Sequence, residues 1–222
     1  MFVDVLAIGA HPDDAELGCA GFLLKAQARG LSTGIVALTR GEMSPFGDAD
    51  TRAAEAQAAA ELLGVQVLQL LDLPVALIEA NTENALLVTR LLRELRPRLV
   101  LTPHAGDHHP DHVAVSQLVE RAIYLATRVH LLPELELLAP SPRWLTYALS
   151  VRRMTQPTFV LDISDVYAAK RKAIEAHSSQ SALVLYAADV AARTYGAMIN
   201  AAYGEGFIHQ GPLPLTPALG II

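Results

Sequence analysis

Four short runs dominated by apolar residues, each followed by a helical pattern, constrain this chain more than any other feature. They cover residues 3–8, 33–38, 65–71 and 99–102. Strands buried on both faces of a sheet read as near-continuous apolar runs rather than as alternation. Between them lie segments with helical spacing and recognisable ends. Residues 15–29 stop at Gly30, and the Ala-rich stretch 51–63 stops at Gly64, both natural C-terminal caps. Residues 81–95 open on Asn81, a good N-cap, and are followed by Pro97. Residues 110–126 begin with Pro110, suited to a first helical turn. Such alternation implies an α/β fold, a Rossmann-like, mostly parallel sheet with helices on both faces. Past residue 126 the pattern weakens. Residues 144–151 and 158–163 read as strands, 166–177 and 186–203 as helices, and the tail from Gly211 as an irregular segment or subunit contact. No repeat, low-complexity tract or long linker divides the chain, so residues 1–222 read as a single domain.

Composition narrows the classes. Hydrophobic residues make up 52% of the chain, yet no uninterrupted run is long enough to span a bilayer. Asp72, Pro74, Glu134 and Glu136 break the longest ones. The N-terminus lacks the basic region of a signal peptide, which points to a cytoplasmic protein with no membrane partner. A net charge of −6 argues against nucleic-acid binding. Cys19 is the single cysteine. It has no internal disulfide partner and, among Leu17, Ala20 and Leu23, reads as a small core residue.

Ionisable residues concentrate where such a sheet binds ligands, beyond the carboxyl ends of its strands. His11-Pro12-Asp13-Asp14 follows the first apolar run, Arg40-Gly41-Glu42 the second, Asp72 the third, and the segment from His104 to His112 the fourth. His11 and Asp14 sit three apart in a loop entering a helix, so both side chains can converge. His112, in the first turn after Pro110, can join them from the neighbouring loop. Two His and one carboxylate leave a coordination position open, as catalytic rather than structural metal sites do. Zn²⁺ is the first choice for this set, and Fe²⁺ suits the same ligands. Such an ion lowers the pKa of a bound water to about 7. Asp13, beside a ligand, is a natural general base. His109 and Asp111 form a second pair, in which Asp111 would orient the imidazole and favour its protonated form. His109 could then stabilise an oxyanion or protonate a leaving amine. Taken singly, an Asp-Asp pair at a helix start is a cap and dipole partner, and a His there is structural. Their joint placement on one rim favours a site. His104 reads as a strand-end structural residue, and His130 and His209 as structural or solvated.

The pairing of Ala-His-Pro-Asp-Asp with a later His-Pro-Asp-His resembles the LmbE-like, or PIG-L, family of zinc-dependent N-acetylglucosamine deacetylases. Residues 4–14, 38–42, 157–164, 179–180 and 203–207 extend the resemblance to the bacillithiol biosynthesis branch. It implies zinc held by His11, Asp14 and His112, Asp13 as general base, and His109 with Asp111 as a second catalytic pair. It further implies Arg52 as a substrate contact and Tyr186 as the group that polarises the substrate carbonyl. His108 stands at a substrate-binding position where this branch usually has Arg, which would suit a substrate carboxylate through bidentate geometry. His177 stands where the branch often has Tyr. Arg40 and Glu42 divide evenly between ligands for sugar hydroxyls and a rim salt bridge. The implied reaction is hydrolytic N-deacetylation of a small N-acetylated amino sugar conjugate, foremost N-acetylglucosaminyl malate, by a homo-oligomer. Another N-acetyl sugar such as a chitin oligomer is the alternative, followed by a non-catalytic metal- or sugar-binding module. A dinucleotide-binding protein is disfavoured, because the first loop lacks the glycine spacing and its two carboxylates would repel a pyrophosphate.

Overall fold

The computed structural model describes residues 2–43, 46–150, 153–180 and 182–211. Among these residues seven strands form one sheet: β1 (Val5–Gly9), β2 (Thr33–Ala37), β3 (Val67–Leu70), β4 (Leu99–Pro103), β5 (Arg143–Tyr147), β6 (Phe159–Asp162) and β7 (Gly204–Ile208). Their order is β3-β2-β1-β4-β5-β7-β6. β1 to β5 pair in parallel, and β7 runs antiparallel to both β5 and β6. The described residues also form six helices: α1 (Asp14–Gln27), α2 (Ala49–Leu63), α3 (Thr82–Leu95), α4 (Pro110–Ala126), α5 (Tyr167–Ala176) and α6 (Ala182–Met198). No helix among the described residues is long and apolar enough to cross a membrane.

The two-residue period of a strand explains why β1 is apolar throughout. Leu6 and Ile8 pack with Val88, Leu92, Val115 and Leu118 of α3 and α4. Val5 and Ala7 face the other way, toward Cys19 and Leu23 of α1, Leu63 of α2 and Ala173 of α5. Helices therefore cover both faces. The caps expected from sequence are present: Asn81 accepts from the Asn84 amide at 2.9 Å, and Gly64 takes a left-handed φ of 68°.

Close packing on α1 rests on its glycines. A Cβ at Gly18 would lie 2.1 Å from the ring of Tyr147, which is wholly buried. Gly18→Ala should therefore cost about 1–3 kcal/mol of stability by overpacking, despite alanine's better helix propensity. An unchanged denaturant midpoint would show that the ring can move aside. One turn on, a Cβ at Gly21 would lie 2.9 Å from Glu205 Oε1. Glu205 accepts from the amides of Gly21 (2.7 Å) and Phe22 (2.8 Å). It also pairs with Lys170 Nζ at 2.6 Å, and that ammonium donates to Leu17 O at 2.8 Å. Both charged side chains are buried. They pin β7 and α5 to the middle of α1.

The second half departs from the sequence expectations. The strand expected over 144–151 is β5 and stops at Tyr147. The helix expected over 186–203 is α6, which starts earlier and ends at Met198. The chain then folds back on Gly196, whose carbonyl accepts from the amides of Ile199 and Ala201, with Asn200 at a φ of 58°. Residues 204–208 were not expected as a strand and form β7. Glycine is required there because the Tyr195 ring lies where a Cβ of Gly206 would project, 2.8 Å away. Of the expected irregular tail, residues 212–222 lie outside the described residues.

This topology positions the site. The chain moves outward from β1 through β2 to β3, then returns to place β4 on the other side of β1. The loops after β1 and β4 thus face each other at the point where strand order reverses, the usual crevice of a doubly wound sheet.

Candidate functional site

The loop after β1 turns tightly into α1, and the Asp14 carboxylate organises it. Asp14 Oδ2 accepts from the amides of Ala10 (2.7 Å) and His11 (3.0 Å). Its Oδ1 lies 3.2 Å from His112 Nε2, at the start of α4. His11 Nδ1 lies 3.7 Å from Asp14 Oδ2. His11, Asp14 and His112 therefore offer two imidazole nitrogens and a carboxylate oxygen within 4.8 Å of one another. A second group, His11, His109 and Asp111, meets the same criterion.

The remaining ring nitrogens are also occupied. His11 Nε2 is 3.0 Å from Asp111 Oδ2, and His112 Nδ1 is 3.2 Å from Asp107 Oδ1. Each histidine thus turns one nitrogen to Asp14 and the other to a carboxylate, the arrangement that fixes metal-binding imidazoles. The electrostatics agree. Burial works against protonation of His11, but hydrogen bonds with Asp111 and Asp14 outweigh it and raise the ring to about 9. His112 reaches about 10, because Asp14 and Asp107 overcome the same burial. Burial would raise Asp14, yet the two histidines hold it well below the usual carboxylate range. The pocket is thus built to hold positive charge, and its donor set fits a borderline divalent metal.

Asp13 stands differently. It precedes α1 with a φ of 123° and ψ of −21°, and its side chain makes no capping bond. The cap reading therefore does not apply to it. Burial pushes its carboxyl up to about 6, partly countered by the Arg52 guanidinium. Arg52 Nη2 is 3.4 Å from Asp13 Oδ1 and donates to the carbonyl of Pro12. Arg52 is buried, so in this structure it braces Asp13 from behind.

Sequence reasoning expected the Asp111 carboxylate to orient His109 and favour its charged form; in this structure that carboxylate is hydrogen-bonded elsewhere. The Asp111 carboxylate takes its hydrogen bonds from His11, from the Ala76 amide (2.7 Å) and from the Ile78 amide (3.3 Å). Asp111 meets His109 through its backbone N–H, which donates to Nδ1 at 3.2 Å. Burial, with the nearby His112 and His11, lowers the His109 pKa below its ordinary value.

Asp107 was missed altogether. It is buried, faces His112, lies 3.0 Å from His108 Nδ1 and accepts from the His109 amide at 2.9 Å. The only sequence signal for it is a carboxylate closing the loop before the histidine cluster. Arg40 forms rim ion pairs with Asp50 (3.4 Å) and Asp72 (3.9 Å). Glu42 accepts from the Val75 amide at 2.8 Å and so ties down the loop after β3. Tyr186 stands apart on α6, 66% exposed, with no hydrogen-bond partner among the described residues. His104 meets Thr146 at 3.0 Å at a strand end, as expected.

Comparison with known proteins agrees with this geometry. Residues 6–123 match the PIG-L family, described as GlcNAc-PI de-N-acetylase. A diacetylchitobiose deacetylase of Thermococcus kodakarensis is 30% identical over 189 residues, 79% of this chain and 69% of its own length. A probable N-acetyl-α-D-glucosaminyl L-malate deacetylase of Bacillus subtilis is 26% identical, covering 80% of this chain and 83% of its own. The solved structure of the conserved protein TT1542 from Thermus thermophilus superposes with a TM-score of 0.90 at 34% identity, covering 98% of this chain and 99% of that one. With more than half its length matched, and with this site at the matched loops, the chain belongs to the PIG-L family and thereby to the hydrolases of N-acetyl amide bonds.

Proposed function

We propose that this protein is a zinc-dependent N-deacetylase of N-acetylglucosaminyl conjugates, with N-acetylglucosaminyl malate as the foremost substrate. The observation that carries the reading is the convergence of His11, Asp14 and His112 beside a part-buried Asp13 whose side chain makes no capping bond. His11, Asp14 and His112 would hold the metal. A divalent ion there supplies a Lewis acid that polarises the amide carbonyl and acidifies water.

Asp13, with a carboxyl near 6, is ionised at neutral pH and basic enough to accept a proton from the attacking water. Arg52 keeps that carboxylate aimed while Asp13 passes the proton on to the departing nitrogen. His109, neutral and accepting at Nδ1, carries its proton on Nε2 and offers it as a hydrogen bond to the developing oxyanion. Tyr186 is the proposed further donor to that oxygen. Arg40, Glu42 and His108 form the polar rim for the sugar and its aglycone. Asp111 and Asp107 hold the two imidazoles in the required tautomers. Asp107→Ala should accordingly weaken metal binding by about 10–100-fold, read by competition with a chromophoric chelator. Unaltered affinity would reduce Asp107 to a loop residue.

The Bacillus relative supports the malate conjugate. A neutral chitin-type sugar is the second reading, favoured because Arg40 and His108 already face carboxylates. Exposed apolar side chains such as Leu62, Leu77, Tyr124 and Val129 support a homo-oligomer, and the same reading places it in the cytoplasm. The deciding assay compares N-acetylglucosaminyl malate, diacetylchitobiose and N-acetylglucosamine after chelation and after Zn²⁺ is restored. Metal-restored preference for the malate conjugate is expected. Preference for chitobiose would transfer the enzyme to the second reading, and activity that survives chelation would remove the metal.

A further inference from the structure

His11 is shared by two sets of ligating atoms, and its two ring nitrogens point to different carboxylates. The two sets are built alike. On one side, Asp14 is pre-oriented by two backbone amides, those of Ala10 and His11. On the other, Asp111 is pre-oriented by the amides of Ala76 and Ile78, at 2.7 and 3.3 Å. Each carboxylate has a second imidazole at hand, His112 for Asp14 and His109 for Asp111. The His11 and His109 rings meet edge-on with centroids 4.8 Å apart.

We propose that His11, His109 and Asp111 form a second seat for a divalent cation, used in place of the His11, Asp14, His112 seat and never together with it. The proposal rests on the metal-binding reading above. Exclusivity follows from the chemistry of imidazole. A neutral ring has one lone pair and one N–H. With the proton on Nε2, donated to Asp111, His11 offers Nδ1 to the Asp14 side. With the proton on Nδ1, facing Asp14 at 3.7 Å, it offers Nε2 to the Asp111 side. Choice of tautomer is therefore choice of seat. The second seat is the weaker one, because a neutral His109 has one lone pair and the Asp111 amide already takes it at Nδ1. It is also unproductive, since it engages His109 and takes the metal away from Asp13.

The test is cobalt(II) binding, by calorimetry and by the visible absorption of the ion, in the full chain. Wild type should take up one equivalent. His112→Ala should still bind one, more weakly and with a changed spectrum. Adding His109→Ala should lower that residual affinity at least about tenfold. His112→Gln serves where the alanine variant does not fold. Equal binding by the single and double variants, or no binding once His112 is lost, would overturn the second seat. Two tight equivalents in wild type would overturn exclusivity. Wild type that binds no cobalt or zinc would instead remove the metal-binding reading itself.

Discussion

Asp13→Asn should lower kcat by about 10²–10⁴-fold while each chain retains its metal. The carboxylate is part-buried, makes no cap bond and faces the buried Arg52, a contact that an amide of the same shape can keep through its oxygen. What the amide lacks is the capacity to take a proton. The proposed metal seat would not depend on it, because Asp14, held by its own backbone partners, would supply the ligand oxygen. Metal content by atomic spectroscopy beside steady-state rates separates the two duties. Near-normal turnover would transfer the proton step to another group, and lost metal would make Asp13 part of the seat.

The largest effect on stability is expected far from the chemistry. Glu205→Ala should cost about 3–5 kcal/mol, because it strands the Lys170 ammonium in the interior and frees two helix amides. A double variant, Lys170→Met with Glu205→Gln, should lose less, since no buried charge is left alone. Denaturant unfolding decides between these. A loss under about 1 kcal/mol in Glu205→Ala would show that water reaches the ammonium. Activity should follow folding in both variants, which distinguishes this pair from the rim residues.

The contrast between these two residues shows what the sequence could and could not reveal. β1, β2 and β4 are legible because strands buried on both faces leave continuous apolar runs, and α3 and α4 because Asn81 and Pro110 mark their starts; β3, at the sheet edge with Gln69 exposed, is legible only as a short mainly apolar run. β7 is not legible. Its Gly204-Glu205-Gly206 has neither alternation nor an apolar run, and its glycines and buried charge make sense only against Tyr195 and Lys170, brought there from distant segments. The site divides similarly. His11, Asp14 and His112 announce themselves by residue type and by position at strand ends. The partners that orient them do not, because a carboxylate's target depends on the fold. Asp111 reaches across to His11, and Asp107 turns back to His112. Arg52 and Tyr186 came only by resemblance, and the structure buries one behind Asp13 and leaves the other exposed on α6.

The backbone of Asp13, at a φ of 123° and ψ of −21°, has one more consequence. That conformation suits glycine and costs other residues about 1–3 kcal/mol. Asp13→Gly should therefore melt about 2–4 °C higher for each kcal/mol released, and should be inactive. A thermostability selection without a turnover assay would enrich this substitution and discard the catalyst. If Asp13 carries the proposed proton transfer, durability and activity are opposed at this position, and the aspartate persists only where the reaction itself is under selection.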